Sequence, residues 1–273
     1  MRTLSLPDGN TMPVLGLGTW RMGESRRQAA AELAALNLGL DLGITLIDTA
    51  EMYGNGGAEE IVRDAIAARR DQIFLVSKVL PQNASRAGTV KACEASLKRL
   101  GTDRLDLYLL HWAGNHPLEG TLEAFEQLKL AGKIQRWGVS NFDLVEMEPL
   151  DGTAVASNQV LYNLSRRGIE FDLLPWCRAR NIPVMAYSPI EQGRLLSNRA
   201  LNTLAKERGC SAAQLALAWV LQQEGVVTIP KATSLAHVRE NGAALDITLS
   251  DAECAALDKA FPPPKKPTGL AML

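Results

Sequence analysis

"IFLVSKVLPQNASRAGTVKACEASLKRLGTDRLDLYLLH", residues 73–111, contains one whole repeat of the chain. It opens on the apolar run "IFLVS" (73–77), passes through "RAGTVKACEASLKRL" (86–100) with helical periodicity, and returns to an apolar run in "LDLYLL" (105–110). Neither apolar run alternates with polar residues, the pattern of a strand covered on both faces. Gly101 follows the amphipathic segment as a usual helix stop. Each strand then runs into a group able to carry charge, Lys78 after the first and His111 after the second.

The same unit recurs to either side. "LGLGTW" (15–20), "ITLID" (44–48), "RWGVSN" (136–141), "VASNQV" (155–160), "PVMAYSP" (183–189) and "VVTIPK" (226–231) are further strand candidates. Between them lie amphipathic stretches such as "ESRRQAAAELAALNLGLDLG" (24–43), "TLEAFEQLKLAGK" (121–133) and "SAAQLALAWVLQQEG" (211–225). Gly43, Gly132 and Gly209 serve as further helix stops. About eight β–α repeats in about 250 residues predict an α/β fold of the (β/α)8 TIM-barrel type. The alternative, an open doubly wound sheet, requires a G-x-G-x-x-G turn after its first strand, and "LGLGTW" supplies only two of those glycines. "LSLPDGNTMPVL" (4–15) reads as an N-terminal β-hairpin with "DGN" as its turn, and the proline-rich "FPPPKKPTGLAML" (261–273) as a short irregular C-terminal tail. No linker or low-complexity tract divides residues 1–273, so a single barrel domain is expected.

Composition narrows the function. With 29 Lys and Arg against 30 Asp and Glu, the chain lacks the basic excess of a general nucleic-acid or anionic-membrane binder. The hydrophobic fraction, 47% of 273 residues, suffices for a large core without staples. Cys93, Cys177, Cys210 and Cys254 are scattered, without CxxC pairs or adjacent histidines, and read as free thiols rather than metal ligands. The first twenty residues lack a secretory apolar core and no run is long enough to span a membrane, so a cytoplasmic location is expected.

In a barrel, the groups that end the strands gather at one rim. Here they are Thr19, Asp48, Lys78, His111, Ser140 with Asn141, Gln159, Tyr187 with Ser188, and Lys231. An ammonium at the edge of an apolar wall needs a counter-charge, and Asp48 on the neighbouring strand provides one for Lys78. Tyr53, on the loop after Asp48, is set to be an acid. A cation beside it favours phenolate and is expected to draw its pKa below the ordinary value of about 10. His111 can hydrogen-bond the same substrate oxygen, and with no second ligand at spacing it is not read as a metal ligand. Four groups aimed at one oxygen protonate a developing alkoxide, the chemistry of carbonyl reduction, for which the hydride must come from a cofactor. Ser140, Asn141 and Gln159 can bond a nicotinamide carboxamide, Tyr187 can stack on its ring, and "IPKATS" offers Lys231, Thr233 and a helix N-terminus to a phosphate.

These motifs, in order ("GLGTW", "LIDTAEMYGNGGAEE", "FLVSK", "LDLYLLHW", "WGVSN", "NQV", "AYSP", "IPKA"), resemble the aldo-keto reductase family over almost the whole chain. "DTAEMY", "GIEFDLLPWC" and "PVMAYSPI" are similar to a bacterial subgroup of methylglyoxal reductases. The resemblance implies a catalytic tetrad of Asp48, Tyr53, Lys78 and His111 and a substrate pocket walled by Trp20, Tyr53, His111 and Trp112. It implies cofactor contacts at Gly18, Thr19, Trp20 and Asp48, then at Ser140, Asn141, Gln159 and Tyr187. Further contacts follow at Ser188, Pro189, Ile190, Gln192, Gly193 and Ile229, and at Lys231, Ala232, Thr233, His237, Glu240 and Asn241. Lys231 and Thr233 favour NADPH as the expected cofactor, while Ala232 and His237, standing where many members carry serine and arginine, narrow its margin over NADH, the weaker second. "NGGAEE" replaces the family's usual Asn-Glu after the tyrosine, so that loop is expected to differ in shape, and the short tail is expected to leave an open pocket. Small aldehydes and dicarbonyls such as methylglyoxal are the expected substrates, and a monomer the expected state. Two other readings stand beside this one: an NADPH-binding redox sensor that regulates a partner without significant turnover, and an aldolase-type barrel in which Lys78 forms a Schiff base.

Overall fold

The computed structural model describes residues 2–273. Eight strands form a parallel sheet in chain order: β3 (Gly16–Gly18), β4 (Leu46–Asp48), β5 (Phe74–Val79), β6 (Leu107–Leu110), β7 (Trp137–Ser140), β8 (Val155–Leu161), β9 (Val184–Tyr187) and β10 (Val226–Thr228). Bridges from Leu15 to Thr228 and from Gly18 to Lys231 close β3 onto β10. The sheet is therefore a barrel, and the strand-order reversal of an open doubly wound sheet is absent.

The predicted hairpin is present as β1 (Thr3–Ser5) and β2 (Thr11–Pro13), paired antiparallel. It buries Leu6 and Met12 in the same cluster as Leu46, Val76, Leu107, Leu109, Met185 and Val227, and so plugs the N-terminal end of the barrel. Asp8 in its turn pairs with Arg136, just before β7, at 2.6 Å. The other strand residues, Ile47, Leu75, Tyr108, Val139 and Val160, belong to a larger cluster beneath the helices. Side chains on a strand alternate, so Asp48 shares the inner face with Leu46, and Lys78 shares it with Val76. Each large aliphatic side chain fully buried in these layers contributes roughly 1.5–3 kcal/mol.

The helices are α1 (Ala29–Asp41), α2 (Gly57–Ile66), α3 (Arg86–Leu100), α4 (Leu118–Leu130), α5 (Leu144–Met147), α6 (Leu173–Ala179), α7 (Arg199–Arg208), α8 (Ala212–Leu221), α9 (Leu235–Ala243) and α10 (Asp251–Ala260). The glycines read as stops are all left-handed, Gly43, Gly101, Gly132 and Gly209 at φ +83°, +61°, +71° and +73°. α1 starts later than the residue 24 its periodicity suggested. Glu32 turns its side chain back and accepts from the Gly23 N–H at 3.0 Å, which holds the preceding residues as a loop. The tail beyond Phe261 has no regular structure, as its prolines predict. It packs against the loop after β8, where Thr268 lies against Gly168, and its residues from Pro262 to Ala271 help line a cavity there.

Candidate active site

Register brings the strand-end groups together. Asp48 is the last residue of β4 and pairs with Gly18 on one side and Val76 on the other. Lys78 lies on β5 opposite Leu109, and His111 follows β6 directly. The Lys78 Nζ, fully buried, donates to the Asp48 carboxylate at 2.8 Å, to the Thr49 carbonyl at 2.8 Å and to the Tyr53 hydroxyl at 3.2 Å. An ammonium has three N–H groups, and here each has one partner. Asp48 and the Thr49 carbonyl can only accept, so the geometry suits the charged form. Burial draws the Lys78 pKa below lysine's ordinary range, and the Asp48 carboxylate opposes that pull. A Schiff-base lysine needs a free lone pair, which a nitrogen enclosed by acceptors does not offer.

Tyr53 differs from expectation in one respect. Its pKa is not lowered: burial holds it well above the ordinary phenol value, and the Asp48 carboxylate adds to the rise. The residue keeps some exposed surface, but its hydroxyl meets the buried Nζ and so sits in the dry end of the site. Desolvation outweighs the cation because Lys78 is already neutralised by Asp48. Tyr53 therefore keeps its proton. The His111 ring stands edge-on to Tyr53 with centroids 5.8 Å apart, and 4.8 Å from the ring of Trp112. Burial, with Lys78 nearby, pushes the His111 pKa down to about 2, so the imidazole is neutral. Its Nδ1 is buried without a partner, which leaves Nε2 as the nitrogen able to face a ligand.

The loop carrying Tyr53 takes an unusual path. Gly54, Asn55 and Gly56 are left-handed at φ +56°, +54° and +91°. A Cβ on Gly57 would lie 2.6 Å from the Gly23 carbonyl, so this loop and the loop carrying Trp20 meet backbone to backbone. That contact explains Gly57, where any side chain would meet the Gly23 backbone.

On the facing strands, Gln159 donates from Nε2 to the Asp48 carboxylate at 2.8 Å, an orientation forced by an acceptor-only partner. Ser140 Oγ donates to the Gln159 carbonyl at 2.8 Å. Asn141, left-handed at φ +58°, donates to the His111 carbonyl at 3.1 Å and accepts from the Tyr187 hydroxyl at 2.9 Å. Thr19 Oγ1 donates to the Asp48 carbonyl at 3.0 Å. Trp20 and Trp112 stand at the mouth, Trp20 37% exposed and stacked by Arg21. Ser188, Pro189, Ile190, Gln192 and Gly193 form the loop after β9. Lys231 pairs with Gly18, next to the buried Ile229, and Ala232 and Thr233 lead to α9. Ser234 gives α9 no side-chain cap, so its first-turn N–H groups are open to an anion. His237 is exposed, Glu240 partly buried and Asn241 buried on that helix. A cavity of about 640 Å³ lies between the tail and the loops after β7 and β8, and none of Asp48, Tyr53, Lys78 or His111 lines it.

The Aldo/keto reductase family matches residues 14–261. The chain belongs to that family. This aldo/keto reductase is 53% identical over 272 residues to "Methylglyoxal reductase YeaE" of Escherichia coli (strain K12), covering 96% of each chain. It is 35% identical over 259 residues to "Glyoxal reductase" of Bacillus subtilis (strain 168), covering 94% of this chain and 91% of that one. Among solved structures it is similar to the aldo/keto reductase of Klebsiella pneumoniae in complex with NADP and acetate, with a TM-score of 0.96, 52% identity and 99% of each chain covered. The same organism's aldo-keto reductase in complex with NADPH also has a TM-score of 0.96 at 52% identity, covering 100% of this chain and 99% of that one.

Some polar residues of the site left no mark in the sequence of this aldo/keto reductase. The Thr49 carbonyl is a backbone group and has no sequence signal. Glu59, fully buried behind β5, accepts from Ser77 at 2.7 Å and from Arg99 at 2.6 Å, and joins elements forty residues apart. Glu191 interrupts the stretch of residues assigned to cofactor but turns instead to Asn163 and Arg166. Its position between Ile190 and Gln192 was the only available hint.

Proposed function

We propose that this chain reduces small aldehydes and reactive dicarbonyls, methylglyoxal among them, at the expense of NADPH, with Tyr53 as the general acid. The observation that carries the reading is the triple contact of the buried Lys78 Nζ with Asp48, the Thr49 carbonyl and Tyr53. The names and bound nucleotides of the relatives support the substrate class and cofactor.

The residues present suit the nucleotide. Gln159 Nε2 is engaged by Asp48, so its side-chain oxygen would be the atom left to accept from a carboxamide N–H. Tyr187, hydrogen-bonded to Asn141, offers a fixed ring face. Open space around Gly193 and the uncapped α9 N-terminus suit phosphates, with Lys231 as the nearby cation. When bound, the reduced nicotinamide supplies the hydride.

The chain's own groups manage the oxygen. Neutral His111 donates a hydrogen bond to the carbonyl and orients it. Tyr53 delivers its proton as negative charge develops on that oxygen, and Lys78 stabilises the phenolate left behind. Asp48 keeps Lys78 charged within a wall that otherwise favours the neutral amine. A mouth flanked by Trp20 and Trp112 suits small substrates with an apolar face.

The test is NADPH and NADH oxidation by the purified protein with methylglyoxal and a panel of short aldehydes. Multiple turnover, faster with NADPH, is the expected result. Tight nucleotide binding without reduction of any carbonyl would overturn the reading in favour of a sensor.

A further inference from the structure

The loop from Ser188 to Gly193 contains the residues assigned above to the nucleotide. Its backbone is strained: Ser188, Glu191 and Gln192 are left-handed at φ +48°, +51° and +54°, followed by Gly193 at +89°. Residues with a Cβ hold that conformation only when their surroundings impose it.

The constraint comes from the segment after β8. Asn163 is fully buried and donates from Nδ2 to the Ser188 carbonyl at 2.9 Å and to Glu191 Oε2 at 2.8 Å. Its Oδ1 accepts from both the N–H and the Oγ of Ser165 at 2.9 Å, which fixes the amide's orientation. Arg166 donates from Nε at 2.9 Å and Nη2 at 2.8 Å to Glu191 Oε1. Arg194 approaches the same oxygen at 3.4 Å. The Glu191 carboxylate is thus held at both oxygens, and the residue is only 4% exposed.

A buried carboxylate in a loop meant for phosphates repels them unless it is neutralised. The forked pairing with Arg166 neutralises it and fixes its direction at once. We infer that the Asn163–Arg166–Glu191 bracket is the positioning element of this loop, so that the dinucleotide meets a loop shaped before it arrives. This rests on the nucleotide reading of Ser188–Gly193 given above. None of the three side chains need touch the nucleotide. The bracket acts by sparing the ordering cost that a free loop would incur on binding.

Two variants separate shape from charge. Glu191→Ala releases the loop and leaves Arg166, whose side chain is 42% exposed, free to hydrate. Arg166→Gln releases the loop and also leaves the carboxylate without its main partner. NADPH titrated into the full-length proteins by fluorescence should bind about tenfold more weakly to Glu191→Ala. Arg166→Gln should bind more weakly still, and the double variant should match Glu191→Ala. In turnover, KM for NADPH should rise by more than kcat falls. Wild-type affinity in either single variant, or a lowered Tm with unchanged NADPH affinity, overturns the bracket alone. Should Arg166→Gln not fold, the affinity of Glu191→Ala decides by itself. A wild-type protein that binds neither NADPH nor NADH overturns the nucleotide reading, and the bracket with it.

Discussion

His111 is where burial has its clearest consequence at the scale of one residue. The imidazole sits beside the Lys78 ammonium in a dry wall and stays neutral down to a pKa of about 2. Its folded pKa therefore lies below the unfolded value of about 6.5. Below that pH the unfolded chain takes up a proton that the folded chain refuses, so stability falls as pH drops, by about 1.4 kcal/mol per unit. Urea unfolding of wild type and His111→Gln at pH 7 and pH 5 checks this. The wild type should lose about 2 kcal/mol more than the variant over that interval. The pH profile of kcat/KM should likewise show no step near 6.5, and a step there that disappears in His111→Gln would contradict a neutral imidazole. Tyr53 carries the same lesson with the opposite expectation. Counting charges in the sequence predicted a lowered phenol pKa. The fold buries the hydroxyl and pairs the cation first with Asp48, so the phenol keeps its proton.

At the scale of elements, the site depends on two loops that meet without side chains. The Tyr53 loop reaches α2 through left-handed Gly54, Asn55 and Gly56, and then presses Gly57 on Gly23. Glu32 of α1 holds Gly23 from the other side. Gly57 has an ordinary helical φ of −63°, so alanine there meets no backbone strain, only the Gly23 carbonyl 2.6 Å from its Cβ. Gly57→Ala should cost about 1–3 kcal/mol of stability through overpacking. It should also lower kcat by moving Tyr53 away from Lys78. Gly120→Ala, whose Cβ meets nothing closer than 3.6 Å, is the control and should do neither. Thermal melts and steady-state rates of both variants decide it. The glycines of "NGGAEE" were legible in the sequence. What they meet was not, because Gly23 lies thirty-four positions before Gly57 and no pattern links them.

For the molecule as a whole, the barrel was legible because its strands are covered on both faces and so read as continuous apolar runs. The meeting of Asp48 and Lys78 was legible for a related reason. Strands alternate, and the first charged group after an inner-facing Leu46 or Val76 is bound to emerge at the rim. The Asn163–Arg166–Glu191 bracket was not legible, since loops twenty-five residues apart meet only once the barrel is closed. Nor was the tail's packing against the loop after β8, which depends on where Thr268 finds room beside Gly168. Closure itself rests on Gly18, whose N–H donates to the Pro230 carbonyl at 3.1 Å and whose Cβ would lie 2.6 Å from the Ile229 carbonyl. Gly18→Val should prise β3 from β10, lower Tm by several degrees and weaken NADPH binding through Lys231. An unchanged Tm in that variant would show that the ring does not need this close approach.

The central claim is that Tyr53 donates the proton to the substrate oxygen. Tyr53→Phe removes one hydroxyl and keeps the ring, so NADPH affinity and turnover with methylglyoxal should be measured together on that variant and on wild type. The account predicts NADPH binding within about twofold of wild type and a fall in kcat of about 10²–10⁴-fold, the usual range for loss of a general acid. Tyr53→Phe that turns over at near wild-type rate with its nucleotide bound would contradict it.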